Sequence, residues 1–146
     1  MKTRIQRIIV FTLLFAGFGI RLAQAKQPTN AALLLGTWVN TKSDGGLAEV
    51  VITDVSGVFE VHPYASCSPL CDWGAHLALR FSSGIGSTTA IGFQVTVNQS
   101  FVTRYLQGHL ITTTTGQTLL EITTQSKFIS TDFREDYEQT ERFQRK

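Results

Sequence analysis

The sequence predicts an all-β fold, a single antiparallel up-and-down β-barrel of about eight strands. Three features support this class. Residues 76–81 and 91–98 alternate strictly between apolar and polar side chains, a period of two that is typical of half-buried strands. Residues 101–115 are rich in β-branched and aromatic side chains, which strands favour. Helical periodicity is weak after the N-terminal segment, and the turns are short, as in sequential hairpins that form a barrel.

The N-terminal segment, residues 1–25, is organised like a secretory signal peptide. A basic start, MKTRIQR, precedes an apolar run over 8–20 and an A-x-A site at Ala23 and Ala25. The apolar run is shorter than the ~20 residues that a membrane-spanning helix needs, which disfavours the alternative of an uncleaved anchor. We therefore predict cleavage after Ala25 and a secreted or periplasmic protein.

Cleavage reverses the sign of the net charge. The full chain has 13 basic and 11 acidic residues, a net charge of +2. Four of the basic residues and none of the acidic ones lie in the signal peptide, so nine basic residues remain and the net charge becomes −2. No cluster of lysine and arginine is left to bind nucleic acid. We expect neither a nucleic-acid partner nor membrane association after cleavage.

The mature chain has the length of one domain. We assign residues 26–34 to a linker and residues 35–146 to the β-barrel. A chain of this size buries roughly two thirds of its unfolded surface, which is enough for a hydrophobic core without a metal.

The predicted strands follow one another in chain order. The second and third meet across a tight turn at Val55–Gly57. The sixth is bent by a bulge at Gly108, because an isolated glycine within a strand often marks one. A turn at Thr115–Gln117 separates the sixth strand from the seventh. The strands are residues 35–40, 47–54, 57–64, 76–81, 91–98, 101–115, 117–129 and 136–145.

Side-chain alternation assigns faces to three of these strands. In residues 76–81, Leu77, Leu79 and Phe81 share one face. In residues 91–98 the inward face consists of Ile91, Phe93, Val95 and Val97, which form either core or the lining of a cavity. In the last strand, Tyr137 and Phe143 are candidate inward anchors. Dense charges over 132–145 leave a helix as the alternative there.

Both cysteines lie in one short stretch, PYASCSPLCDWGAH. Cys67 and Cys71 enclose only three residues. A metal site requires further sulfur or imidazole ligands, and a thioredoxin-like site requires C-x-x-C beside a βαβ unit. In an oxidising compartment two such cysteines pair, so we favour a disulfide over a metal or redox site. Trp73, which follows, is either a packing anchor or a ligand-stacking side chain.

The opening Gly36-Thr37-Trp38 resembles the G-x-W start of calycins, the lipocalin and avidin superfamily. That resemblance implies that Trp38 closes one barrel end beneath a basic side chain from near the last strand, Arg142 or Arg145. GTWVN also resembles the first strand of avidins, in which the asparagine contacts biotin. Asn40 is the matching position, and with Trp73 it is a candidate ligand-binding residue.

A second resemblance extends over residues 35–146. The sequence is similar to a family of small secreted bacterial domains that carry C-x-P-x-(x)-C-D-W-G. The family implies an architecture and brings no catalytic residues. The matching residues are Trp38, Asn40, Cys67, Pro69, Cys71, Asp72, Trp73, Gly74, Asp136, Tyr137, Phe143 and Arg145.

The sequence offers little catalytic chemistry. G-x-S-x-G does not occur, and GIGSTTAIG (84–92) has neither the lysine nor the following helix of a phosphate-binding loop. We predict no catalytic residues, no cofactor and no metal. The leading hypothesis is a non-enzymatic, lipocalin-like binding module for a small apolar ligand or an extracellular surface partner. The alternative is an inhibitor of an extracellular enzyme that acts through rim loops such as residues 63–74.

Overall fold

The structure, a computed structural model, describes residues 31–42 and 45–146. It contains ten β-strands and no helix in these residues, so the all-β class is confirmed. The strands are β1 Gly36–Asn40, β2 Leu47–Val55, β3 Val58–Ala65, β4 Cys71–Asp72, β5 His76–Leu77, β6 Leu79–Ser82, β7 Ala90–Gln99, β8 Val102–Thr112, β9 Thr118–Phe128 and β10 Tyr137–Arg145.

The strands form one antiparallel sheet in the order β4-β3-β2-β1-β10-β9-β8-β7-β6, and β5 also pairs with β3. Most neighbours in the sheet are neighbours in the chain, as in a meander. The exception is β10, the last strand, which pairs with both β9 and the first strand β1. The helix considered for residues 132–145 is therefore wrong, because Tyr137–Arg145 is a central strand of the sheet.

The sheet does not close into a barrel. β5 pairs with β3 and β6 pairs with β7, and only Ala78 separates β5 from β6. Its amide donates to the Phe59 carbonyl at 3.0 Å. The chain thus passes from one edge of the sheet to the other at Ala78. β5 pairs with one edge and β6 with the other, so no single strand pairs with both edges and joins them. This division, with the short β4, gives ten strands in place of eight.

The core lies on one face of the sheet, here called the inward face. Phe93, Val95 and Val97 are buried, while Ile91 is half-buried. In β10, Phe143 is buried, whereas Tyr137 is 47% exposed and is not a core anchor. One contiguous cluster fills this side: Ala31, Leu34, Trp38, Leu47, Val50, Ile52, Phe59, Val61, Ala90, Phe93, Val95, Val97, Leu106, Leu120, Ile122 and Phe143.

The alternation predicted over residues 76–81 is present, but its apolar face points outward. Leu77 is 72% exposed and Leu79 is 75% exposed. The register pairs Arg80 with Phe93, whose side chain is inward, and directly paired residues share a face. Arg80 meets Asp54 at 2.5 Å, so the inward polar side chain has a charged partner.

Gly108 does not mark a bulge. Gly108 pairs with Phe93 on β7 and with Ile122 on β9, and the register is continuous on both sides. A Cβ atom at Gly108 would lie 2.3 Å from the Phe93 ring. The glycine therefore provides room for an aromatic side chain. At the predicted turn at Val55–Gly57, Ser56 and Gly57 both have positive φ, as the tight hairpin between β2 and β3 requires.

The packed domain extends upstream of the first strand. Residues 31–34 form a turn in which Leu34 and Ala31 are buried in the core, so this part of the predicted linker belongs to the domain. The predicted signal peptide and the start of the linker lie outside the described residues. No helix long and apolar enough to cross a membrane is found in the part of the chain that the structure describes.

Candidate functional site

A disulfide loop, residues 66–75, folds back over one end of the sheet. Cys67 and Cys71 form the disulfide that the sequence predicts, with their Cα atoms 5.4 Å apart. The loop then runs antiparallel to β3, where the Trp73 amide donates to the Pro63 carbonyl at 3.1 Å. The Ser66 amide donates to Gly46 at 2.9 Å. The bridge and these backbone bonds hold the loop in one shape.

A histidine–aspartate pair ties the same loop to β3. His62 Nε2 lies 2.5 Å from Asp72 Oδ1, and the Gly74 amide donates to the same oxygen at 2.7 Å. The hydrogen bond from His62, followed by that from Gly74, holds the pKa of Asp72 below its usual range. The His62 ring stacks on Tyr64 with the ring centroids 4.4 Å apart. Ten residues separate the pair in sequence, and the β3–β4 register brings them together.

Trp73 lies against Arg104, a residue of β8. The Arg104 guanidinium carbon is 4.2 Å from the centre of the Trp73 ring. Arg104 is only 8% exposed, and its Nη1 donates to the Gln99 side-chain oxygen. Desolvation lowers the pKa of Arg104, and a hydrogen bond with Tyr137 partly offsets this. Trp73 packs partly against the core, as a packing anchor does, and its ring also contacts this cation. The ligand-stacking role stays a prediction.

Arg104 is not among the site residues that the sequence predicts. The signal was present, since the inward face of β8 consists of Val102, Arg104, Leu106 and Gly108. A charged residue in the apolar phase of a strand is unusual, because charged side chains are almost never fully buried without a partner.

A cavity of about 440 Å³, here called the rim cavity, opens between the disulfide loop and the β7–β8 turn. Its lining combines the disulfide, two aromatic rings, one cation, Arg104, and one carboxylate, Asp72. The lining residues are Ala65, Cys67, Cys71, Asp72, Trp73, Gln99, Phe101 and Arg104.

An aromatic cluster borders the rim cavity. It consists of Phe101, Phe128 and Tyr137, whose successive ring centroids lie 6.5 and 6.2 Å apart. The Arg134 guanidinium covers Phe128 at 4.3 Å and Phe101 at 4.8 Å. The Arg134 guanidinium also donates two hydrogen bonds to Asp132, at 2.9 and 2.6 Å, and the Arg134 backbone amide donates a third at 3.0 Å. These bonds lower the pKa of Asp132 to about 2. The β9–β10 loop is thereby held against the rim.

Outside the rim cavity, Arg145 lies over Trp38. The guanidinium carbon is 4.7 Å from the ring centre, and Trp38 Nε1 donates to the Leu34 carbonyl at 2.8 Å. Arg142, the other candidate for this position, is on the opposite face of β10 and donates to Glu121 at 2.8 Å. Residues three apart in a strand point to opposite faces, so only one of these arginines can cover Trp38.

Asn40 holds the β1–β2 loop. Its amide donates to the Leu47 carbonyl at 2.6 Å and to Glu141 at 2.9 Å, and its oxygen accepts the Lys42 amide at 2.9 Å. Asn40 and Arg142 line a polar cavity of about 520 Å³ that is separate from the rim cavity. The two candidate ligand-binding residues, Asn40 and Trp73, therefore do not form one site.

Comparison of the chain with protein-family models, with curated proteins and with solved structures found no match.

Proposed function

We propose that this chain is an exported, non-enzymatic binding module that takes its ligand at the rim cavity. The observation that carries the proposal is the cavity itself. Its volume of about 440 Å³ is in the range of small-molecule sites, and Trp73 and Phe101 supply apolar surface beside Arg104. The disulfide and the His62–Asp72 contact fix the wall of this cavity before a ligand arrives.

The rim is a better place for a ligand than the interior. Phe93, Val95 and Val97, which were considered as a cavity lining, belong to the packed core. A lipocalin-like ligand within the sheet would have to displace buried side chains. A planar apolar ligand at the rim can instead contact Trp73 and Phe101 without disturbing the core.

Two features support export to an oxidising compartment. The N-terminal segment has the pattern of a signal peptide. The only two cysteines of the chain are bonded to each other, a state that persists outside the reducing cytosol.

The proposal is tested by ligand-observed NMR with a library of planar fragments. We expect fragments that bind the unaltered protein to lose most of their signal with Phe101→Ala. Ile85→Ala is the matched control, because Ile85 is fully exposed on the β6–β7 loop and does not line the rim cavity. A library without binders, or binders that respond equally to both variants, would show that the rim cavity is not a ligand site.

One observation favours an inhibitor of an extracellular enzyme as the second candidate. Phe133 is fully exposed on the β9–β10 loop. This loop is held by the Asp132–Arg134 contacts and by Asp136, which accepts the Phe128 amide at 2.8 Å. A preshaped loop with an exposed aromatic tip is suited to insertion into a partner. Inhibition of a panel of secreted hydrolases, lost in Phe133→Ala, is the expected result, and activity that survives the substitution would exclude this loop.

A further inference from the structure

Arg104 is a buried cation without an acidic partner. None of the ion pairs among the described residues includes it. Its hydrogen-bonding partners, Gln99 and Tyr137, have no carboxylate group, and the nearby Arg134 repels it. Because buried charges are normally paired, this guanidinium lacks the counter-charge that its environment requires.

Unpartnered polar atoms collect around the same position. Ser126 lies directly opposite Arg104 in the β8–β9 register, and Thr124 follows on the same inward face. The hydroxyls of both, together with Arg104 Nε, are buried without a hydrogen-bond partner, and they are the only such side-chain atoms in residues 31–42 and 45–146. Buried polar atoms are usually satisfied, and Arg104 is the one of these three residues that also lines the rim cavity.

We propose that the rim cavity binds a carboxylate group, which pairs with the Arg104 guanidinium. This rests on the proposed function, a binding module that uses the rim cavity. The Gln99 side-chain oxygen now accepts from Arg104, and Gln99 itself lines the cavity. A ligand carboxylate that replaces the Gln99 oxygen makes a charge-assisted hydrogen bond with Arg104, which is roughly twice as strong as a neutral hydrogen bond.

The surroundings favour a carboxylate over a more highly charged anion. Arg104 is the one cation of the lining, and its guanidinium matches the charge and the planar shape of one carboxylate. Asp72, the one anion of the lining, repels any ligand with more than one negative charge. A phosphate dianion would keep an uncompensated charge beside Trp73 and Phe101. These rings instead provide apolar contact for a planar body attached to the carboxylate. The carboxylate comes either from a small acid or from an acidic side chain of a protein.

The test compares matched probes by two-dimensional NMR of the tryptophan indole groups. Trp73 reports on the rim cavity, and Trp38, which is buried and does not line this cavity, is the internal reference. The first pair of probes is benzoate and benzamide. The second pair is the blocked dipeptides Ac-Phe-Glu-NH₂ and Ac-Phe-Gln-NH₂. We expect a carboxylate to bind about tenfold or more tightly than its amide, with an affinity that decreases as salt increases.

Arg104→Lys should reduce this preference, because lysine keeps the positive charge but lacks the planar fork of donors. Arg145→Lys, which replaces the guanidinium over Trp38, is the matched control and should leave the preference for carboxylate over amide unchanged. A preference for the carboxylate with benzoate and benzamide alone identifies a small acid as the ligand. A preference with the two dipeptides alone identifies an acidic side chain of a protein.

Equal affinity of each carboxylate and its amide, in the unaltered protein, would overturn the inference even if Arg104→Lys does not fold. In that case, fragments whose binding is lost in Phe101→Ala would still support a binding module for neutral ligands. Loss of the preference in both arginine variants alike would also contradict a role for Arg104.

Discussion

Replacing Thr124 by valine should stabilise the protein. The Thr124 side chain is 5% exposed and its hydroxyl has no partner, so folding removes it from water without compensation. Such a group costs about 1–3 kcal/mol, and valine has nearly the same shape without the hydroxyl. We expect the free energy of unfolding to increase by about 1–2 kcal/mol. For a domain of this size the melting temperature should increase by about 4–8 °C.

Thr123→Val is the matched control. Thr123 is the neighbouring residue on the outer face, where its hydroxyl lies 3.0 Å from that of Thr140. Exposed substitutions of this kind change stability by about 0.5 kcal/mol or less. Urea unfolding of the three proteins measures the difference. If Thr124→Val is no more stable than Thr123→Val, the Thr124 hydroxyl is hydrogen-bonded in solution and the reasoning about unpartnered atoms fails.

Three further outcomes are expected. Gly108→Ala should destabilise the protein by about 1–3 kcal/mol in urea unfolding, because the added Cβ overlaps the Phe93 ring; an unchanged midpoint would contradict this close approach. Reduction of the Cys67–Cys71 disulfide should cost only about 2 kcal/mol, since it closes a short loop, and thermal unfolding with and without reductant measures this. The Asp132 carboxyl should titrate by NMR near pH 2, so its contribution to stability is complete above about pH 4 and is lost as the pH falls through 2; Arg134→Gln should raise this pKa toward its ordinary value, because the guanidinium is its largest cause.

Most strands could be recognised from local pattern alone. β7 has its apolar side chains at alternate positions, and Phe93, Val95 and Val97 are buried as the pattern predicts. The failure at Gly108 has a physical reason. A glycine within a strand is compatible with a bulge and with the close approach of another side chain, and only the position of Phe93 distinguishes the two.

The candidate site was only partly accessible to sequence reasoning. Trp73 and the disulfide were recognised because their signals lie within a few adjacent residues. Arg104 is 31 positions further along the chain, and its contact with Trp73 depends on how the disulfide loop folds over β8. Its place in the apolar phase of a strand was a usable sign that it is buried, but it did not identify the partner.

Local chemistry in the chain was sufficient for the strand class, the disulfide and the short turns, because these depend on neighbouring residues. Local chemistry was not sufficient to decide which face of a strand points inward, because an alternating pattern is the same for either orientation. Leu77 and Leu79 could face either way, and the pairing of Arg80 with Phe93 places them outside. The open sheet and the contact of Trp73 with Arg104 likewise arise from strand register between distant segments. Register is set by the summed packing of the whole sheet, which no local stretch contains.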